Sequence, residues 1–172
     1  MSGVLPNQEI EKLIEVGSIT SDVPIDPEQI QPASLDLRLG GKAFRIRASF
    51  LPGSREKVEN RLKSLKMHEI DLIDGAVLEK GCVYLIPLLE ELNLSPDIQA
   101  AANAKSSTGR LDLLTRVITN SGEEFDRVSS GYCGKLYAEI CPRSFSVLVR
   151  QGMKLNQIRF RNKNTTLNDE DL

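Results

Sequence analysis

Lys105 to Arg110 reads KSSTGR, three small hydroxyl residues and one glycine between two cations. Ser106, Ser107 and Thr108 offer donors, Gly109 lets the backbone approach a ligand, and Lys105 and Arg110 supply charge. That combination suits a polyphosphate cradle. It lacks the GxxxxGK[ST] spacing of the common phosphate loop, and the same residues also make a plain turn. A second stretch, FDRVSSGYCGKLYAEI at Phe125 to Ile140, reads as a hairpin whose second strand alternates Leu136 and Ala138 with Tyr137 and Glu139. Glu139 is a lone carboxylate on the less apolar face. If that face lines a cleft, Glu139 can hold and deprotonate a water. Otherwise it is a solvated or salt-bridged strand residue. Together the two stretches point to chemistry on a nucleotide.

Other chemistries find little support. His68, the single histidine, is followed directly by Glu69, so the H-x-E of zinc nucleobase deaminases is absent. Cys141 precedes Pro142 with no partner cysteine after it, so no zinc site is expected. His68 sits in a charged stretch and reads as a surface residue rather than part of a catalytic triad. Cys82, Cys133 and Cys141 are odd in number and lack CxxC spacing, which fits reduced, partly buried thiols in a cytoplasmic protein. Twenty-two basic against 24 acidic residues leave a formal charge of −2, so a nucleic-acid polymer is not an expected partner. No apolar run approaches the roughly 20 residues of a membrane span, and MSGVLPNQEI is not a secretory signal.

The elements that must position these residues are mostly strands. At 172 residues the chain has the size of one domain. A helix and arm occupy residues 1–20, with Asn7 as cap, Ile10, Leu13 and Ile14 as apolar face and Gly17 as terminator. Ser21 to Pro32 is turn chemistry. Ser34 to Leu39 alternates as a half-buried strand stopped by Gly40-Gly41. Arg55 to Lys66 carries Val58, Leu62 and Leu65 at helical spacing, a short helical insert. Beyond Glu69 the pattern is short apolar runs: 71–78, 82–88, 98–102, 113–118, 135–140, 145–149 and 155–160. Such punctuation favours a mainly β, distorted jelly-roll barrel over alternating strands and helices. The tail, residues 162–172, is polar and acidic and reads as flexible.

The residues resemble the deoxycytidine triphosphate (dCTP) deaminase family, a branch of the deoxyuridine triphosphatase-like superfamily. QIQPASLDLRLG at Gln29 to Gly40 is similar to the family's Q-P-x-S-[IL]-D-L-R-L-G strand. KSSTGR resembles its R-S-S-x-x-R loop, with Lys105 for the usual arginine. FDRVSSGYCGKLYAEI resembles its hairpin, and RQGMKLNQIRF at Arg150 to Phe160 a later strand. The resemblance implies the superfamily's β-clip fold and zinc-independent hydrolysis of dCTP to dUTP and ammonia, a step toward dTTP precursors. Glu139 would be the general base, with Ser106 and Arg110 positioning the water. Lys105, Ser106 and Ser107 would hold the triphosphate, with Mg2+ bound through the nucleotide. Asp126 matches a sugar- and base-proximal aspartate, and the backbone at Tyr137 and Ala138 would read the cytosine edge. A homotrimer with shared sites is also implied.

Three departures from the pattern stand out. The segment between Arg110 and Asp126 has extra residues, and the insert 55–66 is larger than in short bacterial relatives. The chain also lacks the family's C-terminal segment that closes over the triphosphate, a layout resembling the first half of the long, duplicated form. Two alternatives stay open: a triphosphatase or bifunctional enzyme yielding dUMP, and a non-catalytic regulatory half.

Overall fold

The N-terminal helix α1 (Asn7–Glu15) forms because Ile10 and Leu13 turn one face into the core. Pro6, rather than Asn7, takes the cap position; Asn7 is the first helical residue and its N–H donates to the Pro32 carbonyl at 2.9 Å. Gly17, at φ +80°, closes the helix. Its N–H donates to Ile14, and that of Ser18 donates to Leu13, the paired bonds of a Schellman motif. The computed structural model describes residues 3–163; the expected flexible tail therefore lies, from residue 164 on, outside the described residues.

The remainder is mainly β, as expected. In chain order the strands are β1 (Ile19–Ser21), β2 (Leu35–Arg38), β3 (Lys42–Ile46), β4 (Lys66–Asp71), β5 (Ala76–Leu78) and β6 (Val83–Asn93). They continue as β7 (Ile98–Ala104), β8 (Leu113–Thr119), β9 (Arg127–Val128), β10 (Cys133–Pro142), β11 (Val147–Val149) and β12 (Lys154–Asn162). One sheet runs β4-β3-β6-β10-β8, with β1 also on β6. A second runs β2-β12-β7-β9, and β11 pairs with β5. The helical insert appears as α2 (Val58–Leu65), and a single helical turn, α3 (Ser106–Gly109), links β7 toward β8. No helix among the described residues is long and apolar enough to cross a membrane.

The expectation for Ser34 to Leu39 needs correction: β2 is buried on both faces. Its polar side chains survive burial because each is paired, the usual condition for buried charge. Arg38 Nε donates to Glu90 Oε1 at 2.7 Å, and its other nitrogens reach the Pro24 and Val23 carbonyls and Ser21 Oγ. Glu90 also accepts from Gln29 Nε2 and the Arg38 N–H. Asp36 pairs with Lys105 Nζ. After β2, Gly40 passes so close to β6 that a Cβ there would lie 2.4 Å from the Pro87 oxygen.

Two apolar clusters sandwich the six-stranded sheet. The larger takes Leu136, Ala138 and Ile140 from β10; the smaller takes Tyr137 with Ile46, Phe50, Val58, Leu85 and Ile118. Phe50 and Val58 belong to the segment between β3 and β4, which folds over the sheet and pins down through Gly53 N–H donating to Gly122 O. The described ends of the chain meet: Asn162 N–H donates to the Gly3 carbonyl at 3.2 Å, and Val4 bridges Arg161.

Candidate active site

Glu139 sits at the centre of β10, with Leu85 of β6 on one side and Arg116 of β8 on the other. Strand alternation sends its side chain to the Tyr137 face, under the segment that carries Ser49. The residue is 2 % exposed. One carboxylate oxygen accepts from Arg116 Nη2 at 2.6 Å and the other from Ser49 Oγ at 2.7 Å. Arg116 Nη2 also donates to Ser49 Oγ at 3.1 Å, closing a three-membered network. The Phe125 ring stacks on the guanidinium, 3.7 Å from its carbon to the ring centre, a favourable cation–π contact. Among the described residues, Arg116 Nε is buried without a hydrogen-bond partner.

Arg116 and Ser49 were not anticipated from the sequence. A signal for Arg116 existed: it is the one charged residue of Leu113–Thr119, on the same period-two face as Leu114 and Ile118, the counterpart of the lone Glu139. Ser49 carries no such signal.

The KSSTGR loop divides. Ser106, Ser107, Gly109 and Arg110 are exposed, and no ion pair engages Arg110 among the described residues. Thr108 faces inward and donates its hydroxyl to the Leu155 carbonyl, so it anchors the turn and is no open donor. The Lys105 charge is committed to Asp36. No hydrogen bond or ion pair joins Ser106 or Arg110 to Glu139 within the described chain.

Asp126 is tied down as well. Its backbone is left-handed, φ 62°, a conformation aspartate tolerates. Its carboxylate accepts from the Val117 N–H at 2.8 Å while its own N–H donates to the Val117 carbonyl. Burial pushes its carboxyl up, against the Val117 N–H and the Arg116 charge. Tyr137 and Ala138 lie in an interior strand, each with partners on both β6 and β8. Opposite Tyr137 on β6 stands Pro87, which has no N–H to donate to its backbone. The Tyr137 hydroxyl is buried with only the Asn120 side chain facing it among the described residues, and burial pushes the phenol up to about 12, against that contact.

His68 is exposed on β4, and the three cysteines are unpaired, Cys133 exposed and the others half-buried. Among the described residues no three His, Cys, Asp or Glu side chains cluster as metal ligands. At the hairpin-turn end of β10, a groove of about 630 Å³ separates Arg55, Glu56 and Lys57 of the insert from Ser129, Ser130 and Tyr132; Glu139, Arg116 and Ser49 do not line it.

A family model described as 2'-deoxycytidine 5'-triphosphate deaminase (DCD) N-terminal domain matches residues 1–164. The chain belongs to this family. Among solved structures, it is similar to the 2'-deoxycytidine 5'-triphosphate deaminase of Agrobacterium tumefaciens, at 51% identity and a TM-score of 0.92. That likeness covers 98% of this chain and 50% of the other, so the chain spans half the length of the Agrobacterium protein. Curated relatives named "dCTP deaminase, dUMP-forming" include those of Mycobacterium leprae strain Br4923 and Tropheryma whipplei strain Twist. The first is 31% identical over 162 residues, 90% of this chain and 78% of the relative. The second is 30% identical over 158 residues, 91% and 76%. For a member of the DCD family, the Glu139 network is the feature of this fold that most resembles a reaction centre.

Proposed function

We propose that the chain catalyses hydrolytic deamination of dCTP, with Glu139 as the base. The observation that carries this reading is the buried Glu139 carboxylate, held on one oxygen by an arginine and on the other by a hydroxyl. Water gives a proton to Glu139, and its oxygen bonds to ring carbon four of cytosine. The carbon–nitrogen π pair shifts to ring nitrogen three, which takes that proton from Glu139. Glu139 then takes the proton of the new hydroxyl on carbon four and delivers it to the exocyclic amine, the carbon–nitrogen bond breaks, and ammonia leaves as the carbonyl forms. One carboxylate serves both transfers, so the sequence balances without a further acid.

The groove at the hairpin-turn end of β10 has the volume of a small-molecule pocket, with Arg55 and Lys57 beside Glu56 on one wall. Ser106 and Arg110, exposed and away from Glu139 in their own chain, fit a trimer-like assembly in which a neighbour's loop completes the site. Magnesium rides on the triphosphate oxygens in this reading, since phosphate oxygens supply the ligands it prefers.

The relatives' names favour asking whether dUMP is released. Against it stands Asp126, the candidate for activating a second water, whose carboxylate is engaged by the Val117 N–H. Incubation with dCTP and magnesium, with products separated by chromatography, decides among these readings. dUTP with ammonia is expected. dUMP with pyrophosphate would make the protein bifunctional, and nucleotide binding without turnover would leave a regulatory half.

A further inference from the structure

We propose that Arg116 is a positioning residue of this site, and that with Glu139 it frames the seat of the attacking water, which the Ser49 hydroxyl fills here. The inference rests on the reading of Glu139 as the base, and it assigns the seat to residues of one chain.

Ser49 Oγ makes the two bonds an attacking water needs. It donates to Glu139 at 2.7 Å, as water must to lose a proton, and it accepts from Arg116 at 3.1 Å, as a developing hydroxide must to be stabilised. The arginine is fixed from two directions. Cross-strand register sets it opposite Glu139, and the Phe125 ring holds the guanidinium plane. A buried donor without an acceptor is costly, and Arg116 Nε is one, a donor left over for an oxygen that enters the site. Ser49 itself is exposed and lies outside any strand, between β3 and α2, so it can withdraw without breaking a ladder. A lysine would not replace Arg116, because an ammonium has no planar face to stack on the Phe125 ring and no Nε donor beside the nitrogen, Nη2, that bonds both oxygens.

The test has a structural and a kinetic arm. In a crystal structure of Ser49→Ala without nucleotide, an ordered water should bond to both Glu139 and Arg116. No water there, or a carboxylate swung away from Arg116, overturns the proposal. In turnover of dCTP, Arg116→Lys and Arg116→Ala should lower kcat by about a hundredfold, with KM within about threefold. Added guanidinium ion should restore part of the activity to Arg116→Ala but not to Glu139→Gln. An unchanged kcat, or a raised KM alone, marks Arg116 as a structural or binding residue and defeats the idea. Should Arg116→Ala fail to fold, Arg116→Lys and the Ser49→Ala structure decide. If the wild-type protein turns over no dCTP, the proposed function falls, and the seat stands or falls on the water in Ser49→Ala.

Discussion

Among the described residues, two arginine–glutamate pairs of similar length have a buried glutamate, and they are finished differently. Arg38 and Glu90, 8 % and 0 % exposed, meet at 2.7 Å, and each of the Arg38 side-chain nitrogens has an acceptor. Arg116 and Glu139 meet at 2.6 Å, yet the arginine is 30 % exposed and its Nε has no acceptor. The first pair is closed by its surroundings and locks β2 and β6 together. The second is left with a spare donor under the exposed Ser49. In a low-dielectric interior an unmet donor is costly, so the spare Arg116 Nε sets this pair apart from the fully bonded Arg38.

That contrast can be broken most decisively at Glu139. Glu139→Gln should lower deamination by about 10²–10⁴-fold, the range of a lost general base, with nucleotide binding within a few fold by calorimetry. Residual activity above about a tenth would remove Glu139 from the chemistry. At the closed pair, Arg38→Met strands Glu90 and should cost about 3–5 kcal/mol, a Tm lower by roughly 10 °C or more. A melt close to wild type would show that the network is less closed than its bonds imply.

A subtler comparison uses pH. Burial raises the Asp126 carboxyl, so its favourable contribution is complete below the ordinary 3.8 and is lost as pH rises through the raised value. Asp126→Asn keeps an oxygen for the Val117 N–H and should gain stability relative to wild type as the medium goes from acid to neutral. Denaturant unfolding at both ends would show it; a parallel pH dependence in the two proteins would contradict it. The smallest effect contrasts single hydroxyls. Ser21→Ala removes a bonded partner of Arg38 and should cost about 1 kcal/mol, whereas Tyr137→Phe removes a hydroxyl that makes no close hydrogen bond among the described residues and only faces Asn120, and should cost less. If Tyr137→Phe is the costlier change, the open region is better satisfied than its contacts show.

Most of the architecture was legible because period-two patterning survives in strands such as β8, β10 and β12. The short strands were harder. β1 has three residues and β4 reads KMHEID, largely exposed, so neither carries an apolar signal. β2 misled for a physical reason: Asp36 and Arg38 look solvent-facing until Lys105 and Glu90, distant in sequence, arrive to neutralise them. The site divides the same way. Glu139 was legible as an anomaly on its own strand, but its partners depend on register and on a covering loop. Arg116 lies 23 positions away and Ser49 lies 90. Thr108 looked like part of a ligand loop because a hydroxyl has the same letter whether it faces a phosphate or the Leu155 carbonyl.

The meeting of Gly3 with Asn162 bears on how this chain could be rewired. Because both described ends lie side by side, a short linker could join them and new ends could be opened elsewhere without stretching the sheets. The exposed turn at Ile73 and Asp74, away from both arginine–glutamate pairs, is a suitable place to cut. Such a circular permutant would alter the order in which strands are synthesised while keeping every neighbour. For the same reason, a tandem copy could follow in one polypeptide with only a brief connector, since one unit's exit lies beside its own entrance.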